Sequence, residues 1–366
     1  MGQITQYEED TLHQYYSRYG GFWVYPDILD FCYLVNPYFL SSPIIEELEK
    51  NFRVLLSEYP SGIKVNSKLA SNCWNIKEEY VIPGNGAAEL IKILMENIDG
   101  RIGIIRPTFE EYPNRIDKGT VVAFYPQNDT FRYSAEDIIN YFCDKSINSL
   151  ILINPDNPSG NFIGVNGLHH LAHWCDINNI RLILDESFVD FSVDFQENTF
   201  LDNSILESYP KMCVVKSISK SYGVPGLRLG ILSSADTDLI STLKKKVSIW
   251  NINSFAQFFM QIFPKYRRDY ERACREFIAE RENFKIMLSE IPYIKVMPSQ
   301  ANYFFIEVLA PYNSEELCAI LLNKYNILAS ACLAKKGLEG NKYIRIAVRN
   351  HNDNSRLFIA LKELIG

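Results

Sequence analysis

Short apolar runs alternate with amphipathic stretches through the middle of this chain, and that rhythm restricts its fold more than any other feature. Runs at 79–82, 102–105, 120–125, 150–153, 182–184, 212–215 and 229–232 are too short for helices and read as buried strands. Helix-like stretches at 85–98 and 165–178 fall between them. Strands alternating with helices predict a mostly parallel α/β sheet with helices on both faces. Such sheets bind ligands beyond the carboxyl ends of their strands. Near residue 250 the rhythm changes. Residues 255–291 read as long helices, and their charge run, Arg267-Arg268-Asp269-Tyr270-Glu271-Arg272, suits a solvated face. Strand-like 302–308 and 343–348 then flank a helix around 314–324, which makes a smaller α+β unit. A chain of 366 residues is long for one core. We therefore expect a large domain at 46–255, a small C-terminal domain at 256–366, and an N-terminal segment, 1–45, packing with the small domain.

Composition narrows the function classes. Net charge is −7 with no basic stripe, so nucleic acid is not an expected partner. No apolar run nears the ~20 residues that span a bilayer, and the polar, acidic opening 1–19 does not read as a signal peptide. Eight scattered cysteines, none in a Cys-x-x-Cys pair, suit a reducing cytoplasm. His169, His170 and His173 share one expected helix, but no Glu completes His-Glu-x-x-His, so a helix surface is the better reading and no metal is expected. The opening residues give no sign of a natural terminus, so the chain could form one domain of a longer polypeptide.

Four motifs fall where strands end. Gly84-Asn85-Gly86-Ala87 follows a strand and opens a helix, exposing backbone N–H groups to an anion. It fits neither Gly-x-Gly-x-x-Gly nor a Walker loop, and an ordinary turn explains it equally well alone. Asn154-Pro155-Asp156-Asn157-Pro158 makes a rigid bend that fixes the Asn157 amide. Asp185 directly follows the apolar run 182–184; a buried carboxylate there needs a cationic partner, unless it only caps a helix. Ser217-Ile218-Ser219-Lys220-Ser221 follows another strand, with Arg228 eight positions after the lysine. Most lysines are solvated. A lysine at a strand end beside hydroxyls and an arginine suits an amine that binds an aldehyde while its neighbours hold a phosphate. Pyridoxal phosphate (PLP) combines those two groups.

The ordered set resembles the class I/II, fold type I, PLP-dependent aminotransferases. The likeness is to the branch of histidinol-phosphate aminotransferase and the threonine-phosphate decarboxylase of cobalamin synthesis. It runs from Gly20-Gly21, Asn36-Pro37 and Tyr59-Pro60 through Gly84-Asn85-Gly86, Pro107-Thr108-Phe109 and Asn157-Pro158-Ser159-Gly160. It continues through Asp185-Glu186-Ser187-Phe188 and the lysine segment to Pro298-Ser299-Gln300-Ala301-Asn302-Tyr303 and Tyr343-Ile344-Arg345-Ile346-Ala347-Val348-Arg349. The resemblance implies an aspartate-aminotransferase-like fold, a large PLP-binding domain joined to a smaller α+β domain. It implies that Lys220 forms the Schiff base and shuttles protons, that Asp185 pairs with the pyridinium nitrogen, and that Asn157 bonds the ring's phenolic oxygen. Phe109 would stack on the ring, and Gly86, Ala87, Ser217, Ser219 and Arg228 would hold the phosphate. Tyr59 would reach the cofactor of a partner subunit, giving a homodimer with shared sites. Arg345 would clamp the substrate carboxylate, with Asn36 and Arg349 also at the substrate. Two positions depart from the pattern. Phe188 stands where many aminotransferases have Tyr, and the decarboxylase tends to have Phe. Tyr19 precedes Gly20-Gly21 where the branch often has His.

The expected function is therefore transfer of an amino group between an amino donor and a small carbonyl acceptor, phosphate- or phosphonate-bearing. The alternative is a decarboxylase on the same scaffold. A catalytically dead PLP fold serving binding or regulation is disfavoured by Lys220, Asp185, Asn157 and Arg228 occurring together.

Overall fold

The computed structural model describes residues 6–333, 335–338 and 340–365. A short strand, β1 (Leu29–Asp30), precedes the main sheet. That sheet contains β2 (Val81–Asn85), β3 (Ile102–Ile105), β4 (Val121–Phe124), β5 (Ser149–Ile153), β6 (Arg181–Asp185), β7 (Cys213–Ser217) and β8 (Leu229–Ser233). The order is β2-β8-β7-β6-β5-β3-β4. Only β8 runs against its neighbours. The expected mostly parallel sheet is thus present. Its strands are largely apolar because helices cover both faces. Leu150, Leu152, Leu182, Leu184, Val214 and Ile231 enter one core, while Ile151, Ile153, Ile183, Cys213, Val215 and Leu232 enter the other. The two-residue alternation of a strand divides them.

The first strand differs from its expected span. Residues 78–80 form a 3-10 turn and the strand begins at Val81, running on through Pro83 to Asn85. Pro83 cannot donate to a ladder, but β2 is an edge strand paired only to β8, where proline is tolerated. The following helix is Gly86–Met95, shorter than expected.

The C-terminal part forms a second, antiparallel sheet. It holds β9 (Ile294–Val296) and β10 (Tyr303–Val308), then, after the separate short strand β11 (Ile327–Leu328), β12 (Ser330–Ala331) and β13 (Tyr343–Ala347). The order is β12-β13-β10-β9. β1 pairs in parallel with β11. Leu12, Phe22, Leu29, Phe31 and Leu34 join the core formed with this sheet, whereas Phe39 and Ile44 join the core of the main sheet. The 23-residue helix Arg267–Ser289 enters both: Tyr270, Ala273 and Cys274 face one core, Phe277, Phe284 and Leu288 the other. No helix among the described residues is long and apolar enough to cross a membrane.

Candidate active site

Strand direction collects the site. β2, β5, β6 and β7 end on the same edge of the sheet, and the reversed β8 begins there. Asn85 is level with Leu229, Ser217 with Gly230 and Ile153 with Asp185. Gly86, Asn157, Asp185, Lys220 and Arg228 therefore converge although more than 140 residues of chain separate the first from the last.

Lys220 sits in a short turn, Ile218–Ser221, after β7. Its Nζ lies 4.7 Å from the centre of the Phe188 ring. Burial pushes its pKa down to about 8, helped by the Arg345 and Arg228 guanidiniums and opposed by Asp185. The turn is held from outside. Asn36 N donates to Lys220 O (2.9 Å), Asn36 Nδ2 donates to Ser221 O (3.0 Å), and Asn36 Oδ1 accepts from Tyr38 N (3.0 Å). Gly223, at φ +65°, leaves room for this strap: a Cβ there would meet Asn36 O at 2.9 Å. Beneath the turn, buried Lys216 pairs with Asp190 (2.7 Å), whose second oxygen accepts from Ser221 Oγ, itself bonded by Tyr270.

Asp185 is 3% exposed. Its oxygens accept from Ser187 N and Tyr112 OH, each at 2.9 Å. Burial still raises its pKa above the ordinary carboxyl value, the cost of a carboxylate without an ion-pair partner among the described residues. At the other end of the site, Ser219 Oγ is buried with no partner, and the Arg228 guanidinium makes no ion pair among the described residues. Gly86, at φ +75°, lies so close to that guanidinium that a Cβ would stand 2.5 Å from a terminal nitrogen. An orphaned hydroxyl, a guanidinium and a helix start facing one space suit a phosphate. A buried carboxylate lacking a cation suits a protonated ring nitrogen. The residues fit PLP at both ends.

Arg345, on β13, reaches over from the second sheet. It donates to Asn157 Oδ1 and Cys32 O, each at 3.0 Å, and its Nε is buried without a partner. Phe109 follows β3, partly exposed. Ser217 N donates to Ser187 Oγ at 3.0 Å and ties the ends of β7 and β6 together.

Two expected residues, Asn36 and Arg349, lie elsewhere, and Tyr59, expected at a partner's cofactor, lies outside this chain's own site. Asn36 is buried and both ends of its amide bond the backbone, so it positions the lysine turn instead of facing a substrate. Arg349 is held by Asp353 (2.8 Å) and donates to Asp30 O (2.9 Å). Tyr59 is 79% exposed and packs on Trp250, with ring centroids 4.5 Å apart. His169 packs against Phe200 and bonds Tyr209. The sequence reading gave no role to Tyr112, which lies just beyond Phe109, and it missed Lys335, whose Nζ donates to Thr108 O at 2.9 Å.

An α/β sheet with a lysine, a carboxylate and a phosphate cradle on one edge defines a PLP-dependent enzyme. The chain belongs to the family Aminotransferase class I and II, whose pattern it matches over residues 57–361. It is 31% identical over 350 residues to the CMP-5'-(3-aminopropyl)phosphonate synthase of Streptomyces rubellomurinus, covering 96% of this chain and 55% of that protein. The chain thus spans about half the length of that relative. It is 30% identical over 349 residues to the L-serine phosphate decarboxylase of Sulfurospirillum multivorans, covering 92% of this chain and 88% of the relative. A solved decarboxylase structure from the same organism superposes with a TM-score of 0.84 at 29% identity, over 93% of this chain and 90% of that one. Threonine-phosphate decarboxylase and histidinol-phosphate aminotransferase are also relatives, so the branch read from the sequence is borne out. The cofactor is pyridoxal 5'-phosphate.

Proposed function

We propose that this chain decarboxylates a small phosphate-bearing amino acid, with O-phospho-L-serine the first candidate. The preference for amino transfer read from the sequence gives way to its alternative. The observation that carries the choice is Phe188: a buried phenyl ring, packed on Tyr303 at 5.2 Å, lies beside the Lys220 amine. It offers no hydroxyl there. An apolar wall favours loss of a charged carboxylate as neutral carbon dioxide, because the charge disperses as the bond breaks. Kinship with two phosphate- or phosphonate-handling relatives supports the substrate class.

Bound PLP supplies an electron sink. Asp185 holds a proton at the ring nitrogen. Ser219, Ser217, Arg228 and the Gly86-Ala87 backbone bind the cofactor phosphate. Asn157 and Phe109 orient the ring, and Arg345 binds the amino acid. Lys220 Nζ would return a proton to Cα once the carboxylate had left as carbon dioxide, giving the amine.

A homodimer with shared sites fits the exposed apolar surface of Phe52, Leu56, Tyr59, Ile249 and Trp250, with Tyr59 serving the neighbour. The free cysteines fit the cytoplasm. The test of the reaction is incubation of the holoenzyme with carboxyl-labelled O-phospho-L-serine. Labelled carbon dioxide with phosphoethanolamine is the expected result. Transfer of the amino group to a keto acid, with the label retained, would overturn the reading in favour of amino transfer.

A further inference from the structure

The loop between β12 and β13 brings a lysine to the site without an ion-pair partner among the described residues. Cys332 N donates to Tyr343 O and fixes the base of the loop. Leu338 packs into a small core with Phe131, Met297 and Phe305. Gly337, at φ +93°, lies so close to the Pro107 turn that a Cβ would meet Pro107 N at 3.3 Å and the Tyr125 ring at 3.1 Å. The loop is therefore packed down on the segment that carries Phe109. From it the Lys335 side chain turns inward and donates to Thr108 O at 2.9 Å. A carbonyl takes one of its three N–H groups.

Lys335 makes no ion pair among the described residues. Glu110, its nearest candidate on that segment, is taken by Arg106 at 2.6 Å. Asp156 accepts from Ser159. Arg345 likewise has only neutral hydrogen-bond partners. Burial lowers the Lys335 pKa; Arg345 acts in the same direction, while Cys332, Glu110 and Asp156 oppose it. A lysine and a guanidinium that each lack an ion-pair partner among the described residues are a costly arrangement that an anion relieves. A carboxylate satisfies one of them. A second anionic group is needed for the other.

We infer that Lys335 is a specificity determinant that binds a phosphoryl or phosphono group of the substrate, apart from the carboxylate taken by Arg345. This rests on the reading of a phosphate-bearing substrate, but it holds for decarboxylation and amino transfer alike. The probe is phosphoethanolamine, which has no carboxylate, with ethanolamine as control. Binding to the holoenzyme is measured by calorimetry for the parent protein, Lys335→Met and Lys335→Arg, alongside melting temperature. Lys335→Met should weaken phosphoethanolamine roughly 10- to 100-fold, the range for a lost charge-assisted hydrogen bond. It should leave ethanolamine little changed, and Lys335→Arg should keep most of the affinity. Three results overturn the inference: a parent protein that binds both probes equally, a Lys335→Met variant that still prefers phosphoethanolamine, or equal weakening of both probes, which makes Lys335 a latch between the loop and Thr108. Formation of a keto product instead of carbon dioxide would sink the decarboxylase reading and leave Lys335 standing.

Discussion

Lys220 is useful because its environment works on its proton. The neutral amine attacks the cofactor aldehyde, so loading of apoprotein with PLP should accelerate as pH rises through about 8 and then level off. The neighbours set that midpoint with opposite signs. Arg345 disfavours the ammonium, so Arg345→Ala should move the midpoint up; Asp185 favours it, so Asp185→Asn should move it down. Stopped-flow absorbance over a pH series reads both shifts, and two shifts of one sign would contradict the arrangement. Lys220→Ala should fold yet retain no cofactor after borohydride treatment and denaturation. Asp185→Asn should keep PLP but lose turnover by roughly 100- to 1000-fold, the range for removing one charge-stabilising group. Near-normal turnover would reduce Asp185 to a bonding partner of Tyr112 and Ser187.

The junction of β8 with the helix Gly86–Met95 separates cofactor binding from folding. At Gly86 an added Cβ meets the end of a flexible arginine, while at Gly230 it meets the Ala87 backbone at 2.5 Å. Gly86→Ala should fold, with a strain of about 1 kcal/mol from its positive φ, and bind PLP more weakly by titration. Gly230→Ala should lose several times more stability in urea melts, because neither backbone can yield. These elements differ in how readable they are. β5, β6 and β7 announce themselves because both faces are buried, so nearly every residue is apolar. β2 misleads at its end because an edge strand admits Pro83 and Gly84. Lys220, Asp185 and Asn157 stand out because they end such runs. Lys335 does not: 227 residues separate it from Thr108, and its loop has no periodicity. Asn36 was placed at the substrate, where the structure makes it a strap, because an Asn-Pro step carries no sign of which way its amide faces.

As a whole, the molecule leaves the large apolar side chains of Phe52, Leu56, Tyr59, Ile249 and Trp250 exposed, and their fate tests the assembly. Trp250→Arg should shift sedimentation from dimer to monomer and loosen PLP; a parent protein that is monomeric and fully active would rule out shared sites. If the sites are shared, a mixed dimer of Tyr59→Phe and Lys220→Ala subunits should keep full PLP affinity at its one competent lysine, since the Tyr59 opposite it is intact. The helix Arg267–Ser289 raises a different matter. One rigid rod is rooted in both cores, so neither body can melt without stripping half of the rod's partners from the other. Heat should therefore take the apoprotein apart in a single calorimetric transition, and any swing of the C-terminal sheet over the lysine should turn about this rod as a shaft.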